Sequence, residues 1–366
     1  MVHKRTTSDH RGFNAGTPAP KLSAEAAAEF LQTGNITGYD KSLLLGLITE
    51  MKTYSEKFQH LRGTPKISIF GSARTQPEHP DYLLCHDFAN KLVQDFGYDV
   101  ITGAGPGIME AGNKGAGKDH AIGLNISLPF EQDANPYLKD ERLITFYYFL
   151  IRKLAFVREA DGIVLFPGGF GTMDEGFEAL TLIQTGRAIP VPVVMMEHKG
   201  GTFWGKVIEL MYHLRDQGTV SRPDLDLVYY TTDIDDAIKY INDFYYRYHS
   251  MRYLENGDAV IRLNRDVPSN LLQELEVKYV DLLKGSKFKV HDKPLPEEVD
   301  EPDLKELHRI EFSIDHTKPV DLYAMIRDLN TKYQDGQATN AQEAHKFPRP
   351  SRVKVPSSSP TLAETE

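Results

Sequence analysis

Between Lys66 and about residue 250, short apolar runs alternate with longer stretches in which apolar positions recur every three or four residues. The short runs are KISIFG (66–71), YDVITG (98–103), AIGLNISL (121–128), GIVLFPGG (162–169), VPVVMM (191–196) and LVYYTT (227–232). Several are apolar at successive positions, as strands covered by helices on both faces must be. Helical stretches fill the intervals at 80–97, 107–117, 147–160, 172–187, 202–218 and 233–249. The alternation predicts an α/β fold, a doubly wound Rossmann-like parallel sheet spanning residues 64–250.

The pattern differs on either side of this block. Residues 23–63 carry helix formers in a helical apolar period that stops at Gly63-Thr64-Pro65, which predicts an N-terminal helical lead-in. After the aromatic run Tyr245-Tyr246-Arg247-Tyr248, DAVIRLN (258–264), KFKV (287–290) and HRIEFSID (308–315) read as strands. PSNLLQELEVKYVDLL (268–283) and PVDLYAMIRDLN (319–330) read as helices, so residues 251–335 form a small α+β module of order β-α-β-β-α. Residues 1–22 and 336–366 are polar, aperiodic and rich in Pro, Ser and Thr, and read as disordered tails. No stretch approaches the roughly 18 to 20 apolar residues that cross a bilayer, and the basic N-terminus lacks the apolar core of a signal peptide. The expectation is a cytoplasmic protein without membrane contact.

Charge narrows the partners. The chain has 366 residues and a formal net charge of −10, which argues against general affinity for nucleic acid. Any phosphate it binds is then on a small molecule in a local pocket. The single cysteine, Cys85, allows no internal disulfide and lies within Leu83-Leu84-Cys85…Phe88, as a packed thiol would.

Ligands of an open parallel sheet bind beyond the C-terminal ends of its strands, so the residues just after each strand are the informative ones. Four such loops stand out: Gly71-Ser72-Ala73-Arg74, Gly103-Ala104-Gly105-Pro106-Gly107, Pro129-Phe130-Glu131, and Pro167-Gly168-Gly169-Phe170-Gly171-Thr172 leading into a helix. Glycines let backbone amides approach an anion, and amides at the following helix start complete a cradle. GNKGAGKD (112–119) is one residue short of a P-loop, with Asp119 where a Mg²⁺-binding hydroxyl belongs. It follows a helix start and runs into a strand, the reverse of a P-loop, so Gly112 and Gly115 read as close packing and Gly117 as a helix stop.

Glu175 lies three residues after Thr172, which fits either a capping box or a functional carboxylate. Arg152 and Lys153 sit within the apolar, aromatic run FYYFLIRKLAFV, where they either snorkel to solvent or meet a buried partner. Phe146, Tyr147, Tyr148 and Phe170 are core residues or stacking surfaces for a base.

These residues together resemble the Lonely Guy family of phosphoribohydrolases, some of whose members are labelled lysine decarboxylase-like. Its signature P-G-G-x-G-T-x-x-E is matched by Pro167-Gly168-Gly169-Phe170-Gly171-Thr172-Met173-Asp174-Glu175, and its Arg-Lys pair by Arg152-Lys153. The turn Thr102 to Ala111 is similar to its glycine-rich loop, and the resemblance covers about 66 to 250. It implies hydrolysis of the N-glycosidic bond of a nucleoside 5′-monophosphate, AMP first, with a cytokinin-type N6-substituted AMP as alternative. A non-catalytic nucleotide sensor or carrier is the rival from another class.

The resemblance makes Arg152 and Glu175 the catalytic pair, and Gly168, Gly169, Phe170, Gly171, Thr172 and Asp174 the phosphate loop and its surroundings. Gly71, Ser72, Gly103, Gly105, Gly107, Glu131, Lys153 and Thr181 complete the implied substrate contacts. No metal and no cofactor are implied, and the assembly expected is a homodimer or higher homo-oligomer. The N-terminal helices, the longer interval from Glu131 to Arg152 and the C-terminal module depart from the compact family pattern.

Overall fold

The computed structural model describes residues 22–128, 133–298 and 304–330, together with the backbone of 332–334 and 337–339. Seven parallel strands form the main sheet: β1 (Lys66–Phe70), β2 (Asp99–Thr102), β3 (Ala121–Ile126), β4 (Leu143–Phe146), β5 (Gly162–Leu165), β6 (Val193–Met196) and β7 (Val228–Thr231). Their order is β4-β3-β2-β1-β5-β6-β7. The doubly wound α/β fold expected from the apolar runs is therefore present. Chain order reverses between β1 and β5, and the central strands β1, β2 and β5 are buried at every position.

One face of the sheet packs on α3 (Pro80–Phe96), α4 (Ile108–Ala116) and α8 (Ile234–Phe244). The other meets α2 (Gly38–Gln59), α5 (Phe149–Glu159), α6 (Phe170–Gln184) and α7 (Phe203–Asp216). A short helix α1 (Ala24–Thr33), capped by Ser23, precedes α2 and buries no residue. The α3–α4 contact is close because its glycines have no side chain. A Cβ on Gly115 would come within 2.1 Å of the His86 carbonyl oxygen, and one on Gly112 within 3.2 Å of the Thr102 methyl. Gly117 ends α4 at a φ of 76°. The near-P-loop is thus a packed helix and its stop, and Asp119 pairs with Lys139 on the surface. Cys85 is fully buried beneath α4, and burial pushes its thiol pKa up.

The C-terminal part forms a four-stranded antiparallel sheet of order β10-β11-β9-β8. Its strands are β8 (Tyr248–Tyr253), β9 (Ala259–Leu263), β10 (Lys289–His291) and β11 (His308–Phe312). Helices α9 (Ser269–Lys278) and α10 (Pro319–Leu329) bury Leu271, Leu275, Leu322 and Ile326 in a core continuous with one face of the main sheet. On the opposite face of the small sheet, Arg262 and Arg309 are cross-strand partners. Each donates from Nε to one carboxylate of Glu298, both at 2.6 Å, and all three side chains are buried.

One edge strand in each of the two larger sheets departs from the sequence reading. β4 lies within the aromatic stretch before α5, just ahead of the predicted helix, and β8 includes residues assigned to the end of the 233–249 helix. β4 is exposed at Thr145 and β8 carries the polar His249, Ser250 and Arg252, so neither has the continuous apolar run that marks the central strands. β8 therefore crosses the boundary drawn at 250/251, and the module's order is β-β-α-β-β-α. The stretch read as a C-terminal tail begins with β13 (Gln337–Thr339), which pairs with β12 (Lys332–Gln334). The remainder of that tail and residues 1–21 lie outside the described residues.

Gly115→Ala is expected to destabilise the fold by about 1–3 kcal/mol, since the carbonyl it meets belongs to a helix backbone that cannot swing away. Gly205→Ala, in an open position of α7, serves as the contrast and is expected to be neutral or stabilising by about 0.5–1 kcal/mol. Denaturant midpoints of the two variants check both.

Candidate active site

The loops after β1 and β5 diverge at the reversal of strand order and are held together by main-chain bonds. Ser72 N donates to Pro167 O at 3.1 Å, and Ile108 N donates to Ser72 O at 3.0 Å, which brings in the loop after β2. Close approach is possible because the contacts are glycines. A Cβ on Gly107, at φ 68°, would come within 2.3 Å of Ser72 O, and one on Gly168 within 2.1 Å of the Thr172 hydroxyl. Gly71 packs on Ile108 in the same way. These contacts bring Gly71, Ser72, Gly107, Gly168 and Thr172 together at the C-terminal end of the sheet.

The loop after β2 contains a strained residue, Ala104, at φ 63°. For a residue with a Cβ this left-handed conformation is uncommon and needs support. Asn135 supplies it, donating from its backbone N and its Nδ2 to Ala104 O at 2.8 and 3.1 Å. Its Nδ2 also reaches Gly105 O and Asn113 Oδ1, while Thr102 Oγ1 donates to Asn113 Oδ1 and accepts from Ala104 N. All of these groups are buried. Asn113 and Asn135 were missed in the sequence, where Asn113 reads as part of GNKGAGKD; a polar residue on the buried stripe of α4 was the available signal.

α6 begins at Phe170, with Gly169 as an N-cap that offers no side chain. Thr172 is therefore inside the helix, and the capping-box reading of Glu175 is incorrect. Glu175 is buried at 8% exposure. Its carboxylate faces Lys153 Nζ at 3.5 Å, and the same ammonium pairs with Asp174 at 2.8 Å and Glu178 at 3.0 Å. Burial pushes the Glu175 pKa up to about 7, against the pull of Lys153 and Arg152. Burial acts to lower the Lys153 pKa, but hydrogen bonds to Asp174 and Glu178 and the charge of Glu175 outweigh it and hold the ammonium firmly protonated.

Arg152 does not snorkel. Its Nε donates to Leu124 O at 2.8 Å, its guanidinium lies 5.1 Å from the Phe156 ring centroid, and Nη2 lies where a Cβ on Gly103 would stand, 2.6 Å away. Burial lowers its pKa, opposed by the charge of Glu175. The structure thus brings Arg152, Lys153, Asp174 and Glu175 together beside the glycine loops. Glu131 lies outside the described residues. Thr181 is exposed on α6 six residues beyond Glu175, about 9 Å along the helix axis. Of the candidate stacking residues, Phe146 is buried against Tyr54 and belongs to the core, whereas Phe170 is 96% and Tyr147 71% exposed.

No group of three or more His, Cys, Asp or Glu suited to a metal occurs among the described residues, and none of their helices is long and apolar enough to cross a membrane. The site thus sets a buried carboxylate of raised pKa beside two cations, next to glycine loops at a strand-order reversal of an α/β sheet. Residues 106–241 match the family model described as "Possible lysine decarboxylase".

The pyrimidine/purine nucleotide 5′-monophosphate nucleosidase of Escherichia coli K12 is 40% identical over 127 residues, 32% of this chain and 27% of that relative. The O157:H7 strain's protein of the same name matches equally. The chain thus spans about a quarter of the length of the curated relatives it matches. Among solved structures, the molybdenum cofactor binding protein of Rippkaea orientalis is 19% identical, over 49% of this chain and 96% of that one, with a TM-score of 0.36. The molybdenum cofactor carrier protein of Chlamydomonas reinhardtii has the same identity and coverage, with a TM-score of 0.34.

The Glu175 carboxyl is expected to titrate near pH 7 by ¹³C NMR, and Lys153→Met to move that midpoint upward, since Lys153 favours the ionised form. A carboxyl whose pKa is raised on folding binds its proton more tightly in the folded state. Its contribution to stability is therefore lost as pH rises from about 4.5 to about 7. Glu175→Gln should flatten that part of the stability–pH curve.

Proposed function

We propose that this protein hydrolyses the N-glycosidic bond of a nucleoside 5′-monophosphate, releasing the free base and ribose 5-phosphate. The observation that carries the reading is the buried Glu175 beside Lys153, one helical turn beyond the amides of the Pro167–Thr172 loop. In this reading the 5′-phosphate sits on those amides and on the Gly103–Gly107 loop, where the N-terminus of α6 favours an anion. Bond cleavage develops positive charge on the ribose, which the Glu175 carboxylate stabilises while it takes a proton from the attacking water. The water oxygen bonds to C1′, and the departing base keeps the bonding electrons and gains a proton. Arg152 lies against Gly103 and acts on the phosphate or on Glu175.

The nucleosidase activity named for the Escherichia coli relative supports the class of reaction. A Schiff-base decarboxylase, by contrast, needs a neutral amine, and Lys153 is held protonated among three carboxylates. AMP is the substrate we propose, with an N6-substituted AMP as alternative. We place the activity in the cytoplasm, in a homodimer whose contacts include the exposed apolar side chains of Tyr147, Phe149, Leu150 and Phe170.

Incubation with AMP, GMP, CMP, UMP and an N6-substituted AMP, followed by chromatography for free base, tests the proposal. Adenine release is expected from the native chain, with kcat/KM rising with pH through an apparent pKa of about 7 as Glu175 ionises. Glu175→Gln should lose about 10²–10⁴-fold and Arg152→Ala about 10²–10³-fold in rate. Tight binding of AMP without release of any base would sink the enzyme reading and leave a nucleotide carrier.

A further inference from the structure

Among the buried carboxylates that the proposed chemistry leaves unused, Glu50 lies far in sequence from the site yet contacts the start of α5. Glu50, on α2, is 9% exposed, and its Oε1 accepts from the backbone N–H of Tyr147 and, at 3.2 Å, of Tyr148. Tyr148 is the N-cap residue of α5 and makes no side-chain capping bond of its own. A helix start leaves amide N–H groups unsatisfied and carries partial positive charge, so a carboxylate there both accepts and complements. The same stripe of α2 grips α5 elsewhere. Tyr54 donates to Glu159 at the last residue of α5 at 2.6 Å, Lys57 donates to Leu143 O on β4 at 2.7 Å, and Gly46 lies against the Tyr148 ring.

Arg152 and Lys153 are the fourth and fifth residues of α5, directly behind this cap. We propose that Glu50 is a positioning residue that caps α5 from the N-terminal helix and thereby holds Arg152 and Lys153 against Glu175. The assignment rests on the reading of Glu175 given above. It gives the N-terminal lead-in a part in the site that it does not touch. The groups facing Glu175 are Arg152 and Lys153 from α5 and Asp174 and Glu178 from its own helix, so a loosened α5 removes the two cations and keeps the two carboxylates.

The test uses the full chain as wild type, Glu50→Ala, Glu50→Gln and, as a charge control, Glu56→Gln at an exposed position of α2. Glu50 borders an open groove of about 440 Å³ between α2 and β4, so truncating it opens no sealed void and the variant is expected to fold. Two readouts need no turnover: amide hydrogen exchange across residues 147–153 and the Glu175 titration by ¹³C NMR. In Glu50→Ala, exchange is expected to quicken about tenfold or more as the first turn opens locally. The Glu175 midpoint should rise by about one pH unit as Lys153 withdraws. Glu50→Gln, whose amide oxygen still accepts, should keep both near wild type, and Glu56→Gln should change neither. Where nucleotide is hydrolysed, kcat should fall about tenfold in Glu50→Ala and recover in Glu50→Gln. Unchanged exchange, or faster exchange with an unmoved Glu175 midpoint, overturns the proposal. If the native chain releases no base, the activity reading fails on its own, and exchange and titration still decide the role of Glu50.

Discussion

Everything in the crevice depends on how three loops meet at the reversal between β1 and β5. A parallel sheet that winds both ways must part its loops there, and the gap is usable only if the backbones approach closely. Two main-chain hydrogen bonds, from Ser72 to Pro167 and from Ile108 to Ser72, fix that approach. Glycines at 71, 107 and 168 make it sterically possible. The strain at Ala104 is held by Asn135, whose backbone and side chain both bind the Ala104 carbonyl. Two cations, Arg152 and Lys153, then stand beside these loops although the chain as a whole carries a net charge of −10.

The electrostatic balance at Glu175 follows from that geometry. Burial alone favours the protonated form, and Asp174 and Glu178 reinforce it. Lys153 and Arg152 oppose it, and the outcome lies near neutrality instead of at either extreme. Lys153 is shared among three carboxylates, so its own proton is secure and it acts as a fixed charge.

Sequence reading succeeded where a local pattern has one physical cause. Central strands buried on both faces must be apolar throughout, which made β1, β2 and β5 visible, and the glycine loops follow them directly. It failed where a residue's role depends on distant partners. Thr172 and Glu175 have capping-box spacing, but the helix begins two residues earlier at Phe170, so the box does not form. β4 and β8 are sheet edges, and their aromatic residues merged with adjoining helical stretches. Asn113 and Asn135 are 22 residues apart and meet only in the folded chain. Nothing near Glu50 in the sequence reveals that the amides it accepts from lie 97 and 98 residues downstream.

The pair of arginines clasping Glu298 bears on how the C-terminal sheet finds its alignment. Arg262 and Arg309 face each other across β9 and β11, and Ile261 and Ile310 beside them point into the core. A slip of either strand by one position would thrust a guanidinium among leucines and turn an isoleucine out to the polar side. Removing a charge from its carboxylate partner inside a protein costs several kcal/mol, so every neighbouring alignment is penalised from both faces at once. The clasp thus works as a proofreading device for strand pairing, whatever it adds to the stability of the correct pairing.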